Sequence, residues 1–286
     1  MPSLQLGEIR VDRIVDWDGP FLTALQMFPD ATREALEPHL AWLAPGALSA
    51  DALRLNLPVQ SYLVRSARHT LLIDTCIGCR KSHDIFRGWG QRSDEAWLAG
   101  LRAAGVAPED VDSVMCTHLH VDHCGWNTRR IDGRWVPTFP NAKYLFARPE
   151  YEASAASDSI VFRENVLPVM EAGQAVLVDL DHEIERGIHF EPTVGHTPGH
   201  VAIALASNGA RGVMSGDLIH SPLQLAFPEW SPRVDWDRAR AARTRRRFLE
   251  RHADTDTLVM TAHFPQPSMG HVVSAGDAFR FRYRER

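Results

Sequence analysis

Short apolar runs recur along the chain at intervals that suit a protein built on β-sheets. Leu4–Val11 and Leu57–Val64 alternate or run apolar over strand-length windows, and Ser66-Ala67-Arg68 links the second to a third run, Thr70–Asp74. Further strand-like runs are Val111–Cys116, Lys143–Ala147, Ala175–Leu180, Ile188–Val194, Gly212–Ser215 and Leu258–Met260. Helical spacing appears between them. Ser93 reads as an N-cap, Trp97, Leu98, Leu101 and Ala104 as the apolar stripe, and Gly105 as the stop. The segment near 20–56 reads as a helical insertion, with stretches around Ala31–Leu43 and Ser49–Leu55 broken by Pro45-Gly46. A helical region spans about Pro149–Ala172, and Asp235 is placed to cap a last long helix running to about His252. Two strand-rich halves, each flanked by helices, predict an α/β protein, and periodicity alone leaves several layouts open.

Composition narrows the class. At 286 residues the chain can bury a large core, and 44% hydrophobic with 23% charged residues is ordinary for a soluble globule. A net charge of −5 gives no general attraction to nucleic acid or anionic membranes. The start shows neither a basic segment nor a long apolar run, so the expected compartment is the cytoplasm. Four cysteines are too few for a disulfide scaffold, and Cys76-Ile77-Gly78-Cys79 lacks the second C-x-x-C of a zinc knuckle. It reads as a loop with structural thiols.

The chemistry concentrates at His118-Leu119-His120-Val121-Asp122-His123. Four metal-competent side chains within six residues converge only where the chain turns sharply, as at the end of a strand, and such a turn is a cage for a divalent cation. Cys124 points elsewhere as a chain neighbour and is not counted. Three later apolar runs also stop at such residues: Ile188–Val194 before Gly195-His196-Thr197-Pro198-Gly199-His200, Gly212–Ser215 before Gly216-Asp217, and Leu258–Met260 before Thr261-Ala262-His263.

Taken together, His118, His120, Asp122, His123, His196, Asp217 and His263 resemble the ligand set of the metallo-β-lactamase-fold hydrolases, in order and spacing, from about residue 57 to 264. The resemblance implies a four-layer αββα fold as a single domain over 1–286. It also implies two metal ions, with His118, His120 and His196 on one, Asp122, His123 and His263 on the other, and Asp217 bridging. Imidazole and carboxylate donors without thiolate suit Zn²⁺ best and are compatible with Mn²⁺, Fe²⁺ or Co²⁺. The implied reaction is hydrolysis of an ester-like bond by a hydroxide bridging the metals, with Asp122, Asp217 and His220 as catalytic candidates.

Some branches of the family are set aside by what this sequence contains. A bridging Asp217 is unlike zinc β-lactamases, 23 residues after His263 are too few for the thioester-binding domain of glyoxalase II, and no basic arm supports a nuclease. Oxygen-reducing relatives have a glutamate where His120 stands. The remaining branch resembles acyl-homoserine lactonases and methyl parathion hydrolase. The expected substrate is therefore a small lactone or ester, with promiscuous phosphotriesterase activity. The alternatives are an organophosphate hydrolase and a noncatalytic metal-binding protein. No nucleic-acid or membrane partner is expected, and a homodimer is compatible with the sequence.

Several residues carry two readings. His220, three residues after Asp217, can donate to a leaving oxygen or simply pack; His200 and His271 read as supporting residues. Phe86, Trp89, Trp126, Phe227, Trp230 and Phe264 can line an apolar pocket or fill the core. Seven arginines between Arg238 and Arg251 read as a solvated helix face, interleaved with Asp235, Asp237 and Glu250.

Overall fold

The computed structural model describes residues 3–44, 46–83, 86 and 88–285. The expected break at Pro45 lies outside the described residues. The chain forms two compact units, one of residues 1–17 and 59–182, the other of 18–58 and 183–286. Each is built on one seven-stranded sheet, which gives the mixed α/β composition expected of the metallo-β-lactamase sandwich.

The first unit runs β1 (Leu4–Leu6), β2 (Ile9–Trp17), β3 (Val59–Arg65), β4 (Thr70–Ile73), β5 (Ser113–Met115), β6 (Lys143–Ala147) and β7 (Ala175–Val178), hydrogen-bonded in that order. Gly7 takes a left-handed φ of 59° and splits the first expected strand into a hairpin. From β4 to β7 the strands are parallel, so their carboxyl ends lie along one edge. Helix α1 (Ala96–Ala103) buries Trp97, Leu98 and Leu101, and Gly100 lets it approach Ile14 of β2. It starts later than Ser93: Glu95 precedes it without a side-chain cap, and Gly105 ends it with φ +83°. Helix α2 (Arg148–Ser157) follows β6 and opens the expected helical region, which continues in two short helices, Ile160–Asn165 and Leu167–Glu171.

The second unit runs β8 (Glu183–Glu185), β9 (Ile188–Pro192), β10 (Val201–Ser207), β11 (Ala210–Met214), β12 (Leu258–Met260), β13 (Met269–Ala275) and β14 (Ala278–Tyr283), again in that order. Only β11 and β12 are parallel, and the long helix α3 (Arg238–His252) connects them. Asp237, not Asp235, caps α3 by accepting the Arg240 N–H at 2.9 Å.

The expected insertion near 20–56 is only partly helical. Arg33–Leu43 is a chain of short helical turns. Ser49–Leu55, expected as helix, instead turns at Leu53 with φ 50° and becomes the strand Arg54–Asn56, paired with Pro20–Thr23. The alternating Leu53, Leu55 and Leu57 are buried with Phe28, Leu36 and Trp230, so a period of two prevailed over local helix propensity. Among the described residues no helix is long and apolar enough to cross a membrane.

Candidate metal centre

In the first unit, β4 and β5 are paired in register at Ile73 and Met115, and both strands end there. Asp74 follows with φ 57°, and its carboxylate accepts the backbone N–H of Thr117 at 2.7 Å and its hydroxyl at 2.9 Å. This clamp turns the chain at Thr117 and starts the histidine cluster. The His118 ring centroid lies 4.5 Å from His120 and 4.0 Å from His123, while Asp122 Oδ2 is 3.9 Å from His123 Nε2. His123 Nδ1 sits 2.8 Å from Asp74 Oδ2. Because the carboxylate accepts from Nδ1–H, the lone pair is on Nε2, the tautomer that coordinates a metal.

Two supports of this turn were not evident from the sequence. Glu150, buried on α2, accepts the Leu119 N–H at 2.9 Å. Gly125 presses against the Cys76–Cys79 loop, where a Cβ would lie 2.0 Å from the Ile77 carbonyl oxygen. The C-x-x-C segment is thus a packing surface: all four cysteines are free and buried, and burial pushes the Cys76 thiol up. Cys124 Sγ donates to the His120 carbonyl and, as expected, is directed to the backbone.

In the second unit, β11 and β12 are paired at Met214 and Met260, and three residues beyond each stands a donor, Asp217 and His263. The β9–β10 turn, tied by Thr193 N–H to the His200 carbonyl, carries His196 to the same edge. Asp217 takes a different imidazole on each oxygen. Its Oδ1 lies 2.9 Å from His263 Nε2, and its Oδ2 lies 3.4 Å from His196 Nε2 and 3.1 Å from His220 Nε2. The Nδ1 of His263 donates to the Pro58 carbonyl at 2.9 Å, which again leaves Nε2 as the donor atom. His200 holds the backbone of Asp217: its Nε2 accepts the Asp217 N–H at 3.0 Å, and its Nδ1 is 2.8 Å from the Thr193 hydroxyl. His271 is on β13 against the Thr257 carbonyl, a structural position.

His196 Nδ1 lies 2.7 Å from Asp235 Oδ1, so Asp235 orients a candidate ligand where a helix cap was expected. Its carboxyl is raised by burial and offset by nearby positive charge, including Arg245. Arg245 corrects the solvated-face reading of α3. It is only 1% exposed, donates to Ser231 Oγ at 3.0 Å and to the Trp230 carbonyl, and stands 3.7 Å from Asp235 Oδ2.

The aromatic candidates divide. Trp126 stacks on Trp97 at 5.6 Å and is buried, Phe264 is wholly buried, and Trp89 packs edge-on against Trp17 and Phe86. These fill the core rather than a pocket wall. Trp230 is buried in the cluster around Phe28 and stacks on Phe227 at 3.8 Å; Phe227 stays partly buried.

The donor chemistry of both units fits a divalent cation. Three histidine Nδ1 atoms are fixed by oxygen partners, and carboxylates accompany the Nε2 atoms. The family model of the metallo-β-lactamase superfamily matches residues 55–278. An N-acyl homoserine lactonase from Bacillus cereus is 29% identical over 173 residues, covering 57% of this chain and 62% of that protein. The chain therefore spans less than two thirds of that relative's length. An N-acyl homoserine lactonase, AttM, from Agrobacterium fabrum is 23% identical over 236 residues, covering 73% of this chain and 83% of that protein. Among solved structures, the hydrolase AbOPH is similar with a TM-score of 0.82 at 24% identity, covering 99% of this chain and 98% of its own. AidC, a dizinc quorum-quenching lactonase in complex with a product, also gives 0.82, at 20% identity, covering 100% and 97%.

Proposed function

Since the chain belongs to the metallo-β-lactamase superfamily, we propose that residues 1–286 act as one domain that hydrolyses a lactone or related ester with two divalent ions, Zn²⁺ by preference. His118, His120 and His196 would hold one ion, Asp122, His123 and His263 the other, and Asp217 both. The observation that carries this reading is the Asp217 carboxylate, whose Oδ1 faces His263 and whose Oδ2 faces His196, the arrangement a bridging ligand needs. When bound, the ions supply an activated water and polarise the substrate carbonyl. The protein's own residues do the rest. Asp74, Asp235 and Pro58 fix the imidazole tautomers, and His200 holds the backbone of Asp217. His220, whose Nε2 lies 3.1 Å from Asp217 Oδ2, would hydrogen-bond the oxygen released when the ring opens. Homology to N-acyl homoserine lactonases supports an acyl-homoserine lactone as the substrate class.

The test is release of acid from N-hexanoyl-homoserine lactone by the metal-loaded protein, with elemental analysis of the same sample. Two ions per chain are expected, and Asp217→Asn should lower kcat/KM by about 10²–10³-fold together with metal occupancy. Full lactonase activity in Asp217→Asn, or in protein freed of metal, would remove the reading.

A further inference from the structure

Beside the segment that leads to His196, the second unit holds a groove of about 600 Å³ between α3 and the residues that lead out of β9. The volume is that of a small-molecule site. Its helix wall presents Arg240, Arg243, Arg247 and Arg251, spaced three, four and four residues apart and so on one face. The facing wall is Glu191–Val194. All four guanidiniums are exposed, whereas the neighbouring Arg245 turns into the core.

The charges in this groove are not balanced. Arg251 pairs with Glu191 at one end, and Asp237 is engaged as the helix cap at the other. Arginines on other faces have partners too: Arg238 pairs with Asp30, and Arg246 with Glu250. Among the described residues Arg240, Arg243 and Arg247 have no ion-pair partner. These three span about 10 Å of helix, bounded at both ends by carboxylates. Guanidinium forks bind phosphate oxygens in pairs of parallel hydrogen bonds, which suits a ligand with several close anionic groups.

We propose that this groove is a binding site for a small oligophosphate, a ligand with two or more adjacent phosphates, either free or as the tail of a nucleotide. The bounding carboxylates and the chain's net charge of −5 argue against a nucleic acid, which needs a basic track continuing beyond the protein's edge. Thr244, between Arg243 and Arg247, also lines the groove and anchors it by donating its hydroxyl to the Val194 carbonyl at 2.8 Å.

The experiment is calorimetric titration of the metal-loaded chain with inorganic tripolyphosphate at low and at physiological salt. Binding should weaken as salt rises, and Arg243→Glu/Arg247→Glu should weaken it at least tenfold while leaving lactone hydrolysis and the thermal midpoint unchanged. Arg240→Gln/Arg243→Gln, which reverses no charge, should weaken it to a smaller degree. Orthophosphate should bind at least tenfold less well than tripolyphosphate. ATP binding tenfold tighter than tripolyphosphate would assign the nucleotide form, and equal binding the free oligophosphate; both uphold the site. A heat signal unchanged in the arginine variants would mean that the probe strips metal instead of filling the groove, and would overturn the proposal. Tighter binding of a single-stranded oligonucleotide than of tripolyphosphate would overturn it as well.

Discussion

Each unit orients a histidine with a buried carboxylate, and the two units neutralise that carboxylate differently. In the first, Asp74 holds His123 and is satisfied by the Thr117 amide and hydroxyl, all from the strand ends that form the turn. In the second, Asp235 holds His196 and stands beside Arg245, a buried cation contributed by a helix ten residues further on. One device rests on neutral hydrogen bonds, the other on a compensated charge. The difference shows that imidazole geometry can be set by local turn chemistry or by a tertiary ion pair, and that only the second kind couples the donor to the stability of a distant element.

The largest effect should come from separating those two cases. Asp74→Asn and Asp235→Asn should each weaken metal binding by about 10–100-fold, measured by competition with a chelator dye. Only Asp235→Asn should also cost about 3 kcal/mol of stability in urea, because Arg245 is then buried without a counter-charge. Adding Arg245→Met to Asp235→Asn should restore most of the stability and none of the metal affinity. Equal destabilisation by the two Asp→Asn variants would erase the distinction between the units.

A smaller effect is expected at His220, which shares the Asp217 carboxylate with His196 and His263. His220→Ala should slow an unactivated lactone by about 10²-fold and barely affect a nitrophenyl ester, whose leaving group needs no donor. Equal losses on both substrates at full metal occupancy would make His220 a packing residue.

The smallest effect distinguishes the inner face of α3 from its outer one. His252 packs edge-on against Phe248, and burial, with Arg251 and Arg211 nearby, pushes its pKa down to about 4. The unfolded chain binds this proton near pH 6.5, and the folded chain only near 4. Stability from this residue is therefore complete above pH 6.5 and is lost as pH falls from there toward 4. The loss is about 2 kcal/mol, discounted for screening by the nearby charges and solvent. His252→Gln should flatten that part of the pH–stability curve relative to the parent, as measured by urea midpoints. Parallel curves would show that the imidazole is protonated in the folded state.

The sequence is most legible where structure is made locally. His118–His123 lie within one turn, and Asp217 and His263 each stand three residues past a short apolar strand, so both signals survive without tertiary knowledge. Asp235 was hidden because a carboxylate ahead of a helix reads as a cap; the position of Asp237, nearer the first turn, was the clue that one of the two was spare. Arg245 could have been found as well. It lies on the stripe Ala241, Arg245, Phe248 and His252, an inward spacing among arginines that otherwise face water. Trp126 and Phe264 could not be resolved from sequence, since an aromatic near a ligand turn serves core and pocket equally well. The strand Arg54–Asn56 was obscured by residues that favour helix locally, and its pairing with Pro20–Thr23 is a contact no short window contains.

Gly195, the residue before His196, has a φ of 147° and sits so close to α3 that a Cβ would come within 2.5 Å of the backbone of Ala241. A side chain at 195 has no room. The turn and the helix are consequently not interchangeable parts: a graft carrying His196 into another scaffold must bring the backbone it rests on, and a redesigned α3 must keep its backbone path at 240–241 facing a glycine. Modular recombination of this protein has a seam it cannot cross there, and any library that shuffles the two segments independently will be populated mostly by clashes.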